Sequence, residues 1–156
     1  MNSNITKLLL DTSFILPSMG IKITNTLVHR CLTRIAEQRS KYQLYYTQMN
    51  LLEATWVYLR EKKSQTIENS SKEIFMTGLR SVIDQYKEVM IISEDYSFAL
   101  ELYTSGHSDM LDCLEFAAAA RIGLSWLTLD RKMYLFLTKV KISTKFLLLG
   151  EDFLLQ

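Results

Sequence analysis

Asp112-Cys113-Leu114-Glu115-Phe116-Ala117-Ala118-Ala119-Ala120-Arg121-Ile122-Gly123-Leu124-Ser125-Trp126-Leu127-Thr128-Leu129-Asp130 reads as a helix, a stop and a strand in direct succession. Four consecutive alanines let a helix lie close against a sheet, and Gly123 is placed to end it. Residues 124–129 then form a short apolar strand with Asp130 at its carboxyl end. The first apolar run has the same form, Ile5-Thr6-Lys7-Leu8-Leu9-Leu10 followed by Asp11. If both runs are buried strands of one parallel sheet, both carboxylates emerge at the edge where open α/β sheets place their ligands.

The rest of the chain supplies the alternation such a sheet requires. With one proline, Pro17, and five glycines, helices should be long and strands short. Leu27, Cys31, Leu32 and Ile35 recur at helical spacing within residues 24–40. Residues 42–47 are aromatic and β-prone, and Asn50 is expected to open a helix reaching about Lys63. The polar stretch 60–72 reads as a corner between two helices, after which Ile74, Phe75, Leu79, Val82, Ile83 and Tyr86 restore the helical period. A strand is expected over 89–93 and a helix from Ser93 or Glu94 to about Thr104. Ser105-Gly106-His107-Ser108 should break that helix and cap the next. Beyond Asp130 the pattern predicts a short helix over 131–138 and a last apolar run, 146–149. Strands alternating with helices imply crossover connections, hence a three-layer α/β/α sandwich around a mainly parallel sheet of about five strands.

A chain of 156 residues, 48% of them apolar, is enough for one domain with its own core. The 18 Lys and Arg against 17 Asp and Glu leave a net charge of +1, so a polyanion would have to be met by a local basic patch. Cys31 and Cys113 have no zinc-site or redox-pair spacing and read as small core residues of a reduced protein. The first residues lack a basic leader, and no stretch approaches the ~18 apolar residues of a membrane span. A soluble cytoplasmic protein is expected.

Glu53 and Asp112 fall at predicted helix starts on the edge that carries Asp11 and Asp130. Each acid has an ordinary alternative. Asp11 and Asp130 could be turn or cap residues. Glu53 lies three residues after Asn50, as in a capping box. Asp109 and Asp112, one helical turn apart, could serve the helix dipole. Four carboxylates at one sheet edge would repel one another unless a cation held them. Mg²⁺ and Mn²⁺ suit such oxygen donors better than zinc does. His29 lies in a helix among arginines and His107 in a Gly-Ser turn; neither has ligand partners at recognisable spacing, and both read as structural or solvent-facing.

The order and wording of these segments resemble the PIN domain family. The resemblance rests on Leu8-Leu9-Leu10-Asp11-Thr12-Ser13, on Asn50-Leu51-Leu52-Glu53, and on the distal aspartate, alanine-rich helix and Leu127-Thr128-Leu129-Asp130. It runs over nearly the whole chain, and the Glu53 segment is its weakest part. It implies acidic positions at Asp11, Glu53, Asp112 and Asp130, with Ser13 and Thr128 as neighbouring hydroxyls and Asp109 as an extra acid that could join or replace Asp112. Many members have an aromatic residue three positions after the last aspartate, where this chain has Met133. The family includes ribonuclease toxins of VapC-type toxin–antitoxin pairs, so an antitoxin and a homodimer are the expected partners.

On this reading Asp11, Asp112 and Asp130 would ligate Mg²⁺ or Mn²⁺, with Glu53 completing the site or holding a second metal, and Ser13 and Thr128 orienting the ligands. Metal-assisted hydrolysis needs no side-chain nucleophile and would leave 5′-phosphate and 3′-hydroxyl ends on RNA. An acidic site needs cations nearby to admit phosphate, and Arg131 and Lys132 directly follow Asp130. Arg60, Lys62 and Lys63 lie farther off, and Tyr42, Tyr45 and Tyr46 read as core or contact residues. An aspartyl phosphotransferase is the competing enzyme, although Asp11-Thr12-Ser13-Phe14 lacks the second aspartate of haloacid-dehalogenase-like proteins. No glycine-rich loop follows the first strand to support a nucleotide-binding module. The non-enzyme alternative is an interaction module using apolar faces between Ile67 and Tyr86.

Overall fold

Leu8, Leu9 and Leu10 are all fully buried but face opposite ways. Leu8 and Leu10 pack into one hydrophobic cluster and Leu9 into another. A strand buried on both faces needs a helical layer on each side, and this first strand, β1 (Thr6–Leu10), is the centre of the molecule. The computed structural model describes residues 5–64 and 71–156. β1 pairs in parallel with β2 (Tyr42–Thr47) on one side and β4 (Ser125–Thr128) on the other. β3 (Lys87–Val89) extends the sheet beyond β2, and β5 (Leu147–Leu149) beyond β4. Among the described residues every pairing is parallel, and the strand order is β3-β2-β1-β4-β5.

One layer is built from α1 (Thr12–Ile15), α2 (Thr26–Glu37), α3 (Gln48–Lys63), α4 (Ser71–Gln85) and α8 (Gly150–Leu155), which bury Phe14, Cys31, Tyr58, Phe75 and Phe153 against Leu8, Leu10 and Leu127. The opposite layer is α5 (Ser93–Thr104), α6 (Met110–Ile122) and α7 (Arg131–Lys139), packed on Leu9 and Trp126. Ala117, Ala118 and Ala119 are buried there, as the close approach of α6 to the sheet requires. Gly123 ends α6 with φ of 72°, where its missing Cβ removes the left-handed penalty. Burial pushes the Cys31 and Cys113 thiols up to about 11 and about 12, as befits inert core cysteines. No helix among the described residues is long and apolar enough to cross a membrane.

Several expectations are corrected. β3 covers Lys87–Val89, two residues earlier than the apolar run suggested, and Met90 in that run is 73% exposed. The box that opens α3 is Thr47 with Asn50: Asn50 N–H donates to Thr47 Oγ1 at 3.2 Å, and Thr47 N–H donates to Asn50 Oδ1 at 2.7 Å. Asn50 is therefore the third helical residue and not the cap, so Glu53 has no part in capping. Asp109, not the Ser105–Ser108 turn, caps α6. The helices α1 and α8 were not anticipated. Of the proposed apolar faces on α4, Ile74 and Ile83 are exposed; Ile67 lies outside the described residues, as does part of the 60–72 corner.

Candidate active site at the carboxyl edge of the sheet

The chain builds outward from β1 through β2 to β3 and then crosses to β4 on the other side of β1, so the order of strand addition reverses between β1 and β4 while the strands stay parallel. A crevice at the carboxyl ends of such neighbouring strands is the usual ligand position in this architecture. Asp11 and Asp130 stand there. The Asp11 N–H donates to Leu127 O at 3.0 Å, extending the ladder by one bond and fixing where its side chain emerges. Asp11 Oδ2 accepts from Thr128 Oγ1 at 2.8 Å, and Oδ1 accepts from the Ser13 N–H at 3.4 Å. Asp130 caps α7, its Oδ1 accepting from the Lys132 N–H at 2.7 Å. The capping readings of both residues are correct, and neither uses up the whole carboxylate.

α6 brings Asp112 to the same edge in its first turn. Asp109 Oδ1 accepts from the N–H groups of Leu111 and Asp112 at 2.9 and 3.3 Å, so the extra acid is exposed and committed to the cap. Glu53 is half-buried on α3, and its charge acts on Asp11. The four predicted acids therefore share one electrostatic neighbourhood, although only Asp112 and Asp130 belong to its tightest group. That group has a third member. His107 Nε2 lies 3.7 Å from Asp112 Oδ2 and 3.9 Å from Asp130 Oδ2, and one donor atom from each of the three falls within 4.8 Å of the others.

The fold disfavours negative charge here. Burial pushes Asp11 up to about 6, against the lowering effect of its bonds to Thr128 and Ser13, with the charges of Glu53 and Asp130 adding to the rise. Asp112 is pushed up to about 9, first by burial and then by the charges of Asp109, Asp11 and Asp130. Below them Glu115 is buried and held well above the usual carboxylate range, by burial first and then by Asp11, Asp112 and Glu53. Glu115 accepts from Asn50 Nδ2 and, at 2.9 Å, from Trp126 Nε1; Asn50 Nδ2 also donates to Thr12 Oγ1 at 3.1 Å. This network joins α1, α3, α6 and β4 under the acids. A divalent cation fits the donor set, because it would stabilise the ionised carboxylates that burial and mutual repulsion oppose.

Arg131 and Lys132 are exposed beside Asp130, and the Arg131 guanidinium pairs with Glu151 Oε1 at 3.2 Å. Arg60, Lys62 and Lys63 are exposed on α3. Tyr42 and Tyr46 are buried, in line with the core reading. The ordinary reading holds for His29, which is exposed and bonded through Nε2 to Ile23 O at 2.6 Å. His107 is not solvent-facing: it is 7% exposed and lies against the acids. Local spacing conceals His107 because the Asp130 it meets comes from a different element. Glu115 was also missed as a site-floor residue; its signal is one acid inside the apolar run from Cys113 to Ala119.

No protein-family model matches the sequence, and no curated protein matches it significantly. Solved structures do share the fold. VapBC2 from Rickettsia felis, bound to a DNA fragment from their promoter, superposes with a TM-score of 0.61 at 11% identity, over 92% of this chain and 98% of that one. FitAcB from Neisseria gonorrhoeae superposes with a TM-score of 0.56 at 15% identity, over 87% of this chain and 94% of that one. With its all-parallel five-stranded sheet between two helical layers, the chain has the PIN-like α/β/α fold.

Proposed function

We propose that this protein is a Mg²⁺- or Mn²⁺-dependent endoribonuclease, cytoplasmic, and the toxin of a toxin–antitoxin pair. The observation that carries the proposal is the gathering of Asp11, Asp112 and Asp130 from three separate elements into one neighbourhood, in which burial and neighbouring charge hold Asp11 and Asp112 above the usual carboxylate range. Structural acids are seldom massed in this way, since each raises the cost of charging the next.

Asp11, Asp112 and Asp130 would hold the cation, with Glu53 adding a fourth carboxylate and Asp109 acting through its charge on Asp112. Thr128 and Ser13 position Asp11 through the bonds described. A divalent ion bound there supplies Lewis-acid stabilisation of the phosphate and a more acidic water. Arg131 and Lys132 would receive the flanking phosphates of single-stranded or structured RNA, Arg131 by exchanging Glu151 for the substrate. The expected products carry 5′-phosphate and 3′-hydroxyl ends.

The similarity to VapBC2 and FitAcB supports an antitoxin as protein partner. Leu52, Trp56 and Leu59 on α3 are 42, 55 and 48% exposed and recur at helical spacing, offering an apolar face to the antitoxin or to a second copy of the chain.

Cleavage of single-stranded RNA by the wild type and by Asp11→Asn, each with Mn²⁺ or with chelator, tests the proposal. Cutting by the wild type with metal alone is expected. Cutting that persists in chelator or in the variant would exclude this site, and no cutting under any condition would favour a catalytically weak interaction module.

A further inference from the structure

We propose that His107 is a nitrogen ligand of the metal site, and that it makes the site prefer Mn²⁺ to Mg²⁺. The inference rests on the reading of Asp112 and Asp130 as metal ligands and adds a residue that the acidic pattern does not contain.

His107 lies in the turn between α5 and α6, anchored by its N–H donating to Leu102 O at 3.3 Å. Its side chain is 6% exposed, and its ring packs 5.3 Å from the Phe136 ring, centroid to centroid. Nε2 is buried and has no hydrogen-bond partner among the described residues, because 3.7 and 3.9 Å to the two carboxylates are too long for hydrogen bonds. A buried polar atom is rarely left so unless something else meets it. The same distances suit a shared ion. Two ligand atoms each about 2.1 Å from one cation stand at most about 4.2 Å apart, and both separations lie within that limit.

The three donors come from different elements: a turn, the first turn of α6 and the end of β4. A mixed set of one imidazole and carboxylates changes the selectivity. Oxygen donors alone suit Mg²⁺, whereas imidazole favours transition ions, which bind nitrogen more strongly along the first-row series. The competing role for His107 is that of a protonated counter-ion to Asp112 and Asp130, with no bond to metal.

Pulsed electron paramagnetic resonance of the Mn²⁺-loaded full chain separates the two roles without depending on activity. Coordinated imidazole should give ¹⁴N modulation that disappears in His107→Gln. Calorimetric titration should show Mn²⁺ affinity falling about tenfold or more in that variant while Mg²⁺ affinity changes less. Bound Mn²⁺ without ¹⁴N modulation in the wild type would overturn the assignment of His107 and leave the carboxylate site standing; this measurement needs no variant. Modulation that survives in His107→Gln would also overturn it. Failure of the wild type to bind Mn²⁺ would overturn both this assignment and the metal site beneath it.

Discussion

Thr128 Oγ1 donates to Asp11 Oδ2 at 2.8 Å and accepts from the Asp130 N–H at 3.1 Å, so a single buried hydroxyl links the two aspartates that end β1 and β4. The Thr-x-Asp segment thereby sets the orientation of both the nearer aspartate and the distant one. Parallel pairing of Leu10 with Leu127 brings the strands into the register that makes this possible.

Thr128→Val keeps the shape and removes the hydroxyl. It leaves the Asp130 N–H without its acceptor and Asp11 without its side-chain donor. Stability is expected to fall by about 1–3 kcal/mol in chemical denaturation, and Mn²⁺ affinity should fall with it. Thr128→Ser should restore most of both, and a valine variant as stable as the wild type would remove the hydroxyl from this role.

Capping and ligation make opposite predictions for Glu53. Because Thr47 and Asn50 form the capping box, Glu53→Gln should alter stability by no more than about 0.5 kcal/mol while weakening Mn²⁺ binding. Thr47→Ala should cost about 1 kcal/mol through loss of the cap. Equal destabilisation by the two variants in urea melts would return Glu53 to a structural role.

The legible parts of the chain are those where local chemistry acts alone. β2 has the anticipated limits, Tyr42–Thr47, because a half-aromatic run flanked by polar residues has one way to pair. Gly123 ends its helix as expected, and the strand-end aspartates lie where the apolar runs stop. β3 was misplaced because an edge strand of three residues is set by its pairing with Tyr45–Thr47, not by its own apolarity; Lys87 and Glu88 in it are exposed. α1 has four residues, too few to display a helical period. His107 could not be read because its neighbours, Asp112 and Asp130, are brought together only by the packing of α6 against β4.

Gly78 gives a test of how α4 is seated. A Cβ there would run into the Ser18 carbonyl oxygen and Met19 Cα, both backbone atoms of the 3-10 turn Leu16–Met19. An alanine in an exposed helix interior would gain up to about 1 kcal/mol over glycine. At Gly78 the overlap should outweigh that gain, so Gly78→Ala is expected to lose about 1–2 kcal/mol net. A rise in the melting temperature of Gly78→Ala would show that α4 does not approach the turn so closely.

The raised carboxyl groups predict how stability and metal binding depend on pH. In the metal-free protein Asp11 and Asp112 hold their protons more tightly when folded than when unfolded, rising from 3.8 to about 6 and about 9. Folded-state values above the unfolded ones mean that this stabilising contribution is fully present below about pH 4. It is lost as pH rises, through about 6 for Asp11 and about 9 for Asp112, and buried Glu115 acts in the same direction. Chelated protein should therefore melt at progressively lower temperature between pH 5 and 9. Cation binding requires the deprotonated acids, so protons compete with it and the stabilisation by Mn²⁺ should grow over the same interval. Melting curves at a series of pH values, with Mn²⁺ and with chelator, should diverge as pH increases. Parallel curves would mean that these carboxyls do not bind the ion, and the divergence should shrink in Asp112→Asn, which removes the most strongly shifted of the proposed ligands.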